Sequence, residues 1–300
     1  MTELRFSDRA VVVTGAGRGL GRAYAMELAA RGAGVVVADY GVSPDGSGSS
    51  AQPCEAVAEE ITAAGGRAVA CHASVADHHG AQAMVDTALD AFGRIDAVVN
   101  NAGIYDPCDF VELSVERLQT MLDVHVGGTL QVTQAAWPHF ARAGYGRVVN
   151  TVSEAMFGGI LGTASYGTAK GAVFMLTRSL ATEGAAIGIK VNAVAPRAHT
   201  RLTDAQMARF ADRMPPDAVD AFNASIPAEL CSPAVTFLAH ESCALTGEVL
   251  QCGQGEVARI AVVIGKGIAS PVLTAEMIAE RIDTIMDLSA PTVPGTQPVL

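Results

Sequence analysis

Three side chains in one short stretch carry complementary proton chemistry: the hydroxyl of Ser153, the phenol of Tyr166 and the amine of Lys170, within SEAMFGGILGTASYGTAK at 153–170. The four-residue interval between Tyr166 and Lys170 places them one turn apart on the same face of a helix. A free tyrosine, with a pKa of about 10, is a poor base at neutral pH. A cation about 4 Å away, at an effective dielectric of about 20, is worth roughly 4 kcal/mol, or about three pKa units, which would bring the phenol to about 7. Ser153 leaves an apolar strand, where its hydroxyl can meet the oxygen of an alcohol or a carbonyl. A Y-x-x-x-K pair also arises by accident on a helix, so the rest of the chain must decide.

The elements that would position these groups begin at the N-terminus. The β-branched run Ala10–Thr14 feeds the cluster Gly15-Ala16-Gly17-Arg18-Gly19-Leu20-Gly21, and an alanine- and leucine-rich segment over 22–31 leads through Gly32 to a second apolar run over 35–38, closed by Asp39. This is a strand, tight turn, helix and strand. Glycines there let backbone approach a pyrophosphate at a helix N-terminus, and an acid about 20 residues on can hold an adenosine ribose. A glycine- and serine-rich loop follows over 41–53. Helices over 55–64 and 77–92 then alternate with strands over 68–71 and 95–100, which predicts a parallel sheet. Ser114 is placed to cap a long helix running toward Phe140. A strand over 147–152 delivers Ser153, another is expected over 189–194, Ser232-Pro233 opens a helix, and 248–252 reads as a last strand. Beyond Gly255 come an apolar run over 257–264, an amphipathic helix over 274–288 and a proline-containing tail. The expectation is one domain over 1–255 with a C-terminal extension over 256–300.

Composition narrows the function classes. Half of the 300 residues are apolar and 17% are charged, with no run approaching the roughly 18 apolar residues of a membrane span. A net charge of −11 with scattered cations argues against nucleic acid and membrane surfaces as partners. The N-terminus reads as neither signal peptide nor anchor, and the C-terminus as no targeting tripeptide. Six cysteines without a C-x-x-C pair fit a reducing cytoplasm. His72, His78 and His79 lack a partner at ligand spacing, and no metal is expected.

Taken together, T-G-A-G-R-G-L-G at 14–21, N-N-A-G at 100–103 and Ser153 with Tyr166-x-x-x-Lys170 resemble the short-chain dehydrogenase/reductase family over 6–252. The segments GRAYAMEL, AAWP, HESC and APRAHTRLTD resemble the dehydrogenase unit of multifunctional β-oxidation enzymes. The resemblance implies a Rossmann-type, doubly wound, seven-stranded parallel sheet and a nicotinamide cofactor. It implies Tyr166 as general base, Lys170 as its pKa-lowering partner and ribose ligand, and Ser153 as the substrate-oxygen ligand. His125 stands where the family usually has asparagine, as a catalytic-relay candidate or a packed helix histidine. Gly15, Arg18, Gly19, Leu20, Gly21, Asp39, Ser74, Val75, Asn101, Ala102, Gly103, Pro196 and Thr200 are implied to bind the cofactor with Tyr166 and Lys170. Ser74 replaces a usual aspartate, and Arg197 a usual glycine.

Asp39 opposes the extra phosphate of NADP, which favours NAD, whereas Arg18 argues the other way. The implied reaction is oxidation of (3R)-3-hydroxyacyl-CoA to 3-oxoacyl-CoA. A 17β-hydroxysteroid dehydrogenase, a 3-oxoacyl thioester reductase and a non-catalytic NAD-sensing scaffold remain alternatives. The substrate pocket is expected to be apolar, formed by 155–161 and by Met207, Phe210 and Met214, with Arg201 and Arg209 available to coenzyme A phosphates. No hydratase or sterol-carrier segment is read in the chain, so a hydration step would fall to another protein. A homo-oligomer, tetramer or dimer, is implied through the long helices.

Overall fold

The computed structural model describes residues 3–208 and 215–296. Valine-rich strands organise it. β1 (Ala10–Thr14) and β2 (Gly34–Ala38) are buried along their whole length, as expected of strands covered by helices on both faces. Between them runs α1 (Gly19–Ala30), followed by α2 (Gln52–Ala63), β3 (Arg67–Cys71), α3 (His78–Phe92) and β4 (Ala97–Asn100). The chain continues through α4 (Val115–Leu122), α5 (Gly128–Ala143), β5 (Gly146–Thr151), α6 (Ala164–Gly184) and β6 (Ile189–Pro196). Next come α7 (Arg201–Ala208), α8 (Pro216–Ser225), α9 (Ser232–Ala239) and β7 (Val249–Gly253).

The sheet order is β3-β2-β1-β4-β5-β6-β7 with an added β8 (Glu256–Ile260) beside β7, and every pairing from β3 to β7 is parallel. Strand order reverses between β1 and β4, which opens a crevice at their carboxyl ends. The glycine turn leaves β1 there and Asn101 leaves β4. One helical layer packs Tyr24, Leu28 and Leu238 on the sheet, and the other packs Met84, Phe140 and Ala181.

The sheet has eight strands, not the seven expected. β8 (Glu256–Ile260) folds back antiparallel on β7 through Gln254 and Gly255, both at positive φ (55° and 78°), as a two-residue hairpin requires. The apolar run therefore stays a strand only to Ile260, where its pairing with Val249 ends. The long helix expected from Ser114 is capped as predicted, the Ser114 hydroxyl accepting from Arg117 N, but a π turn over Asp123–Gly127 interrupts it. The expected C-terminal amphipathic helix is two short ones, α10 (Ala275–Glu280) and α11 (Ile282–Met286), meeting at Arg281. Among the described residues, no helix is long and apolar enough to cross a membrane.

Candidate active site

A cavity of about 430 Å³ opens at the carboxyl ends of β1, β4, β5 and β6. Its floor is the glycine turn. Gly15 and Gly19 have φ of 64° and 51°, and a Cβ on Gly15 would stand 2.8 Å from Ala102 Cα. Only glycine fits so close to the neighbouring loop in that conformation. Leu20 and Arg18 also line the cavity, whereas Gly21 does not. A Cβ on Gly21 would stand 2.2 Å from the Gly15 carbonyl oxygen, so its place is helix-to-turn packing rather than cofactor contact.

Asp39 closes the far end. Its carboxylate accepts from Gly17 N at 2.7 Å and from Gly41 N at 2.6 Å, which holds it between turn and loop. Ser74 and Val75 stand beside it at the cavity wall. Thr14, not anticipated from the sequence, joins β1 to the β4 loop. Its hydroxyl accepts from Asn101 N and Ala102 N, both at 3.0 Å, while Asn101 Nδ2 donates to the carbonyls of Thr14 and Gly15. Asn101, Ala102 and Gly103 thereby form one wall, and Pro196 and Thr200 form the opposite rim.

Ser153, Tyr166 and Lys170 converge on the same cavity. Ser153 sits at the end of an extended backbone, accepting from Ala155 N at 3.2 Å, and hydrogen-bonds the Tyr166 phenol. Lys170 is buried. Its ammonium lies 5.6 Å from the Tyr166 ring centre and donates to the Thr151 carbonyl at 2.7 Å. Burial pushes the Tyr166 phenol up to about 12, against the opposing hydrogen bond from Ser153, and burial brings the Lys170 amine down to about 7. This corrects the expectation that Lys170 alone brings the phenol to neutrality. Both groups lose solvent together, and desolvation disfavours each charged form.

The π turn aims His125 into the site, 5.4 Å from Tyr166 edge to face, with Tyr105 at 5.2 Å in the same relation to that phenol. Nε2 of His125 stands 2.9 Å from the Ile104 carbonyl and 3.2 Å from Ile104 N, while its buried Nδ1 has no partner among the described residues. Burial, reinforced by Lys170, holds the imidazole well below its ordinary pKa and hence neutral. Gly103 makes room for the ring, since a Cβ there would approach His125 Cε1 to 2.5 Å.

The expected apolar pocket is only partly present. Ala155, Ile160 and Leu202 line the cavity, but Phe157 and Leu161 face outward and Met207 does not reach it. Phe210, Met214 and Arg209 lie outside the described residues. Arg197 is turned away from the cavity into a bidentate pair with Glu154 at 2.8 Å. Tyr105 and Arg201, by contrast, belong to the cavity wall. Arg201 was expected near a phosphate, whereas the part of Tyr105 was not legible, because it depends on which loops the fold brings together.

A doubly wound sheet with its cavity at the strand-order reversal, and a Ser, Tyr and Lys cluster on one wall, defines a class of α/β oxidoreductase. The short chain dehydrogenase model matches residues 9–214, and the chain belongs to that family. It is 41% identical over 290 residues to a short-chain type dehydrogenase/reductase of Mycobacterium tuberculosis, covering 96% of this chain and 97% of that one. It is 37% identical over 292 residues to peroxisomal multifunctional enzyme A of Dictyostelium discoideum, covering 97% of this chain but 63% of that one. Among solved structures it is similar to carveol dehydrogenase from Mycobacterium avium in complex with NAD, with a TM-score of 0.75, 27% identity and coverage of 83% and 97%. The chain is an oxidoreductase acting on CH–OH groups.

Proposed function

We propose that the chain oxidises the 3-hydroxyl of a (3R)-3-hydroxyacyl-CoA to the ketone with NAD as acceptor. The observation that carries this reading is one cavity holding Ser153, Tyr166 and Lys170 at one end and Asp39 with the glycine turn at the other. The acyl-CoA assignment is supported by similarity to the Dictyostelium multifunctional enzyme, and the cofactor assignment by similarity to a dehydrogenase solved with NAD.

The cavity fits a dinucleotide, because its floor is glycine backbone and its lining carries two guanidiniums, Arg18 and Arg201. When bound, the oxidised nicotinamide supplies the hydride acceptor and a positive charge in the site. Asp39 faces the ribose end and disfavours a further phosphate there. Ser153 holds the substrate oxygen by its hydroxyl. Tyr166 takes the hydroxyl proton as hydride leaves the same carbon. Lys170, anchored on Thr151, would hold ribose hydroxyls and stabilise the phenolate. Neutral His125, supported by Ile104, keeps the wall behind Tyr166 in place and offers Nδ1 to the proton path.

We also read the chain as a dimer or tetramer joined through α5 and α6, with Met175 of α6 exposed, in a reducing compartment such as the cytoplasm that suits six free cysteines. The deciding experiment is a panel of 3-hydroxyacyl-CoAs of both hands alongside 17β-hydroxysteroids, read by NADH absorbance. Selective turnover of the 3R thioesters is expected. Turnover of the steroids alone, or of neither class, overturns the substrate assignment.

A further inference from the structure

Arg18 in the glycine turn and Arg201, the first residue of α7, lie far apart in the chain and line the same cavity. Residue 200 abuts the turn itself, since a Cβ on Gly19 would lie 3.4 Å from Thr200 Cγ2. A guanidinium carries five N–H donors in a planar fork. Among the described residues, Arg201 uses one of them, on the Val42 carbonyl at 3.3 Å, and no hydrogen bond or ion pair engages the Arg18 side chain. Several other arginines behave differently: Arg94 grips Asp96, Arg117 grips Asp106, Arg197 grips Glu154 and Arg259 grips Glu248, each through two nitrogens. Asp39, the carboxylate of this end, already accepts from two backbone amides. Two guanidiniums and one committed carboxylate thus face this end of the cavity. Arg18 works with burial to draw the Arg201 pKa below its ordinary value, while Asp39 opposes this. An anion entering between the two guanidiniums relieves their repulsion and satisfies their free donors together.

We propose that Arg201 is a phosphate-binding residue of this site, which closes the α7 side of the cavity on a phosphate ester held from the other side by Arg18 and the glycine turn. The chemistry has two sources within the proposed reaction, the diphosphate of the dinucleotide and the phosphates of coenzyme A. The geometry favours the former, because residue 200 packs on the turn and Arg201 reaches across to the loop that follows Asp39. The inference rests on the dinucleotide reading, and binding of NADH by the unaltered protein tests that reading separately.

The experiment compares the unaltered protein with Arg201→Ala and Arg201→Lys. Dissociation constants are measured for NADH, ADP-ribose and adenosine, and KM for an acyl-CoA against the same acyl group on pantetheine. Loss of one charge-assisted hydrogen bond to a phosphate corresponds to about a ten- to hundredfold weakening. The expected result is that weakening for NADH and ADP-ribose in Arg201→Ala, none for adenosine, and partial recovery in Arg201→Lys. Unchanged cofactor affinity with a raised KM for acyl-CoA, but not for acyl-pantetheine, also supports phosphate binding and assigns it to the substrate. Unchanged values throughout, or equal losses for adenosine and the phosphate-bearing ligands, overturn the proposal.

Discussion

Lys170 and Tyr166 lie one helical turn apart, yet no hydrogen bond joins them among the described residues: the ammonium is 5.6 Å from the phenol ring centre and donates to the carbonyl of Thr151. Burial pushes the phenol up to about 12 and draws the amine down to about 7, so desolvation disfavours the charged form of each. A positive charge arriving in the cavity stabilises a phenolate there more than in water, because the local dielectric is low. On the proposed reading, base strength at Tyr166 therefore depends on the loaded site as well as on Lys170.

Removing the phenolic oxygen tests its place in catalysis. Tyr166→Phe is expected to lower kcat for alcohol oxidation by about a thousandfold, within the range for a lost general base, while fluorescence titration shows NADH binding within about threefold of the unaltered protein. Retained turnover would exclude the phenol from proton transfer.

The pH dependence follows from the two shifts. A phenol raised to about 12 is increasingly deprotonated as pH climbs, so kcat/KM for oxidation should rise between pH 7 and 9. Lys170 adds a stability signature. Its folded value of about 7 lies below the ordinary lysine value of 10.5, so the unfolded chain binds more protons between those pH values and stability rises with pH across that window. Chemical denaturation of the unaltered protein and Lys170→Met at pH 7 and pH 10 should show the unaltered protein gaining a few kcal/mol relative to the variant. A pH-independent difference would refute the buried-amine account.

Asp39 accepts from two amides, and on the proposed reading it also selects the cofactor. Asp39→Ser should raise KM for NAD several-fold and shift the NADP to NAD ratio of kcat/KM by at least tenfold toward NADP. Loss of about 1–3 kcal/mol of stability is expected from the orphaned Gly17 and Gly41 amides, read by denaturant midpoint. An unaltered cofactor ratio would remove Asp39 from selection.

His125 supports the Ile104 backbone through a neutral ring. His125→Leu is expected to cost about 1–3 kcal/mol at pH 7. A histidine whose folded pKa is depressed contributes stability above its unfolded value that is lost as pH falls, so the gap between the proteins should narrow from pH 7 to pH 5. Thermal melts at both values measure it. A gap that widens on acidification would mean that the ring is charged in the fold.

The regions most readable in advance were those whose physics is local. Val11, Val12 and Val13 flow into a turn that needs positive φ at Gly15 and Gly19, and this local pattern specifies the strand and the helix that lead to Asp39. The Ser114 cap and the hydroxyl, phenol and amine spacing were equally plain. The π turn at His125 was not, because it keeps helical neighbours on both sides and depends on packing against Ile104 and Tyr166.

Periodicity, turn chemistry and residue spacing, all properties of neighbours along the chain, determined the order of strands and helices and which side chains could share a helical face. Tertiary packing alone decided that Lys170 grips Thr151, that Gly21 serves packing, that β8 extends the sheet, and that Arg201 meets Arg18 across one cavity. The reason is physical. Desolvation and charge depend on every group brought within a few ångströms, and those groups come from parts of the chain that no local pattern relates.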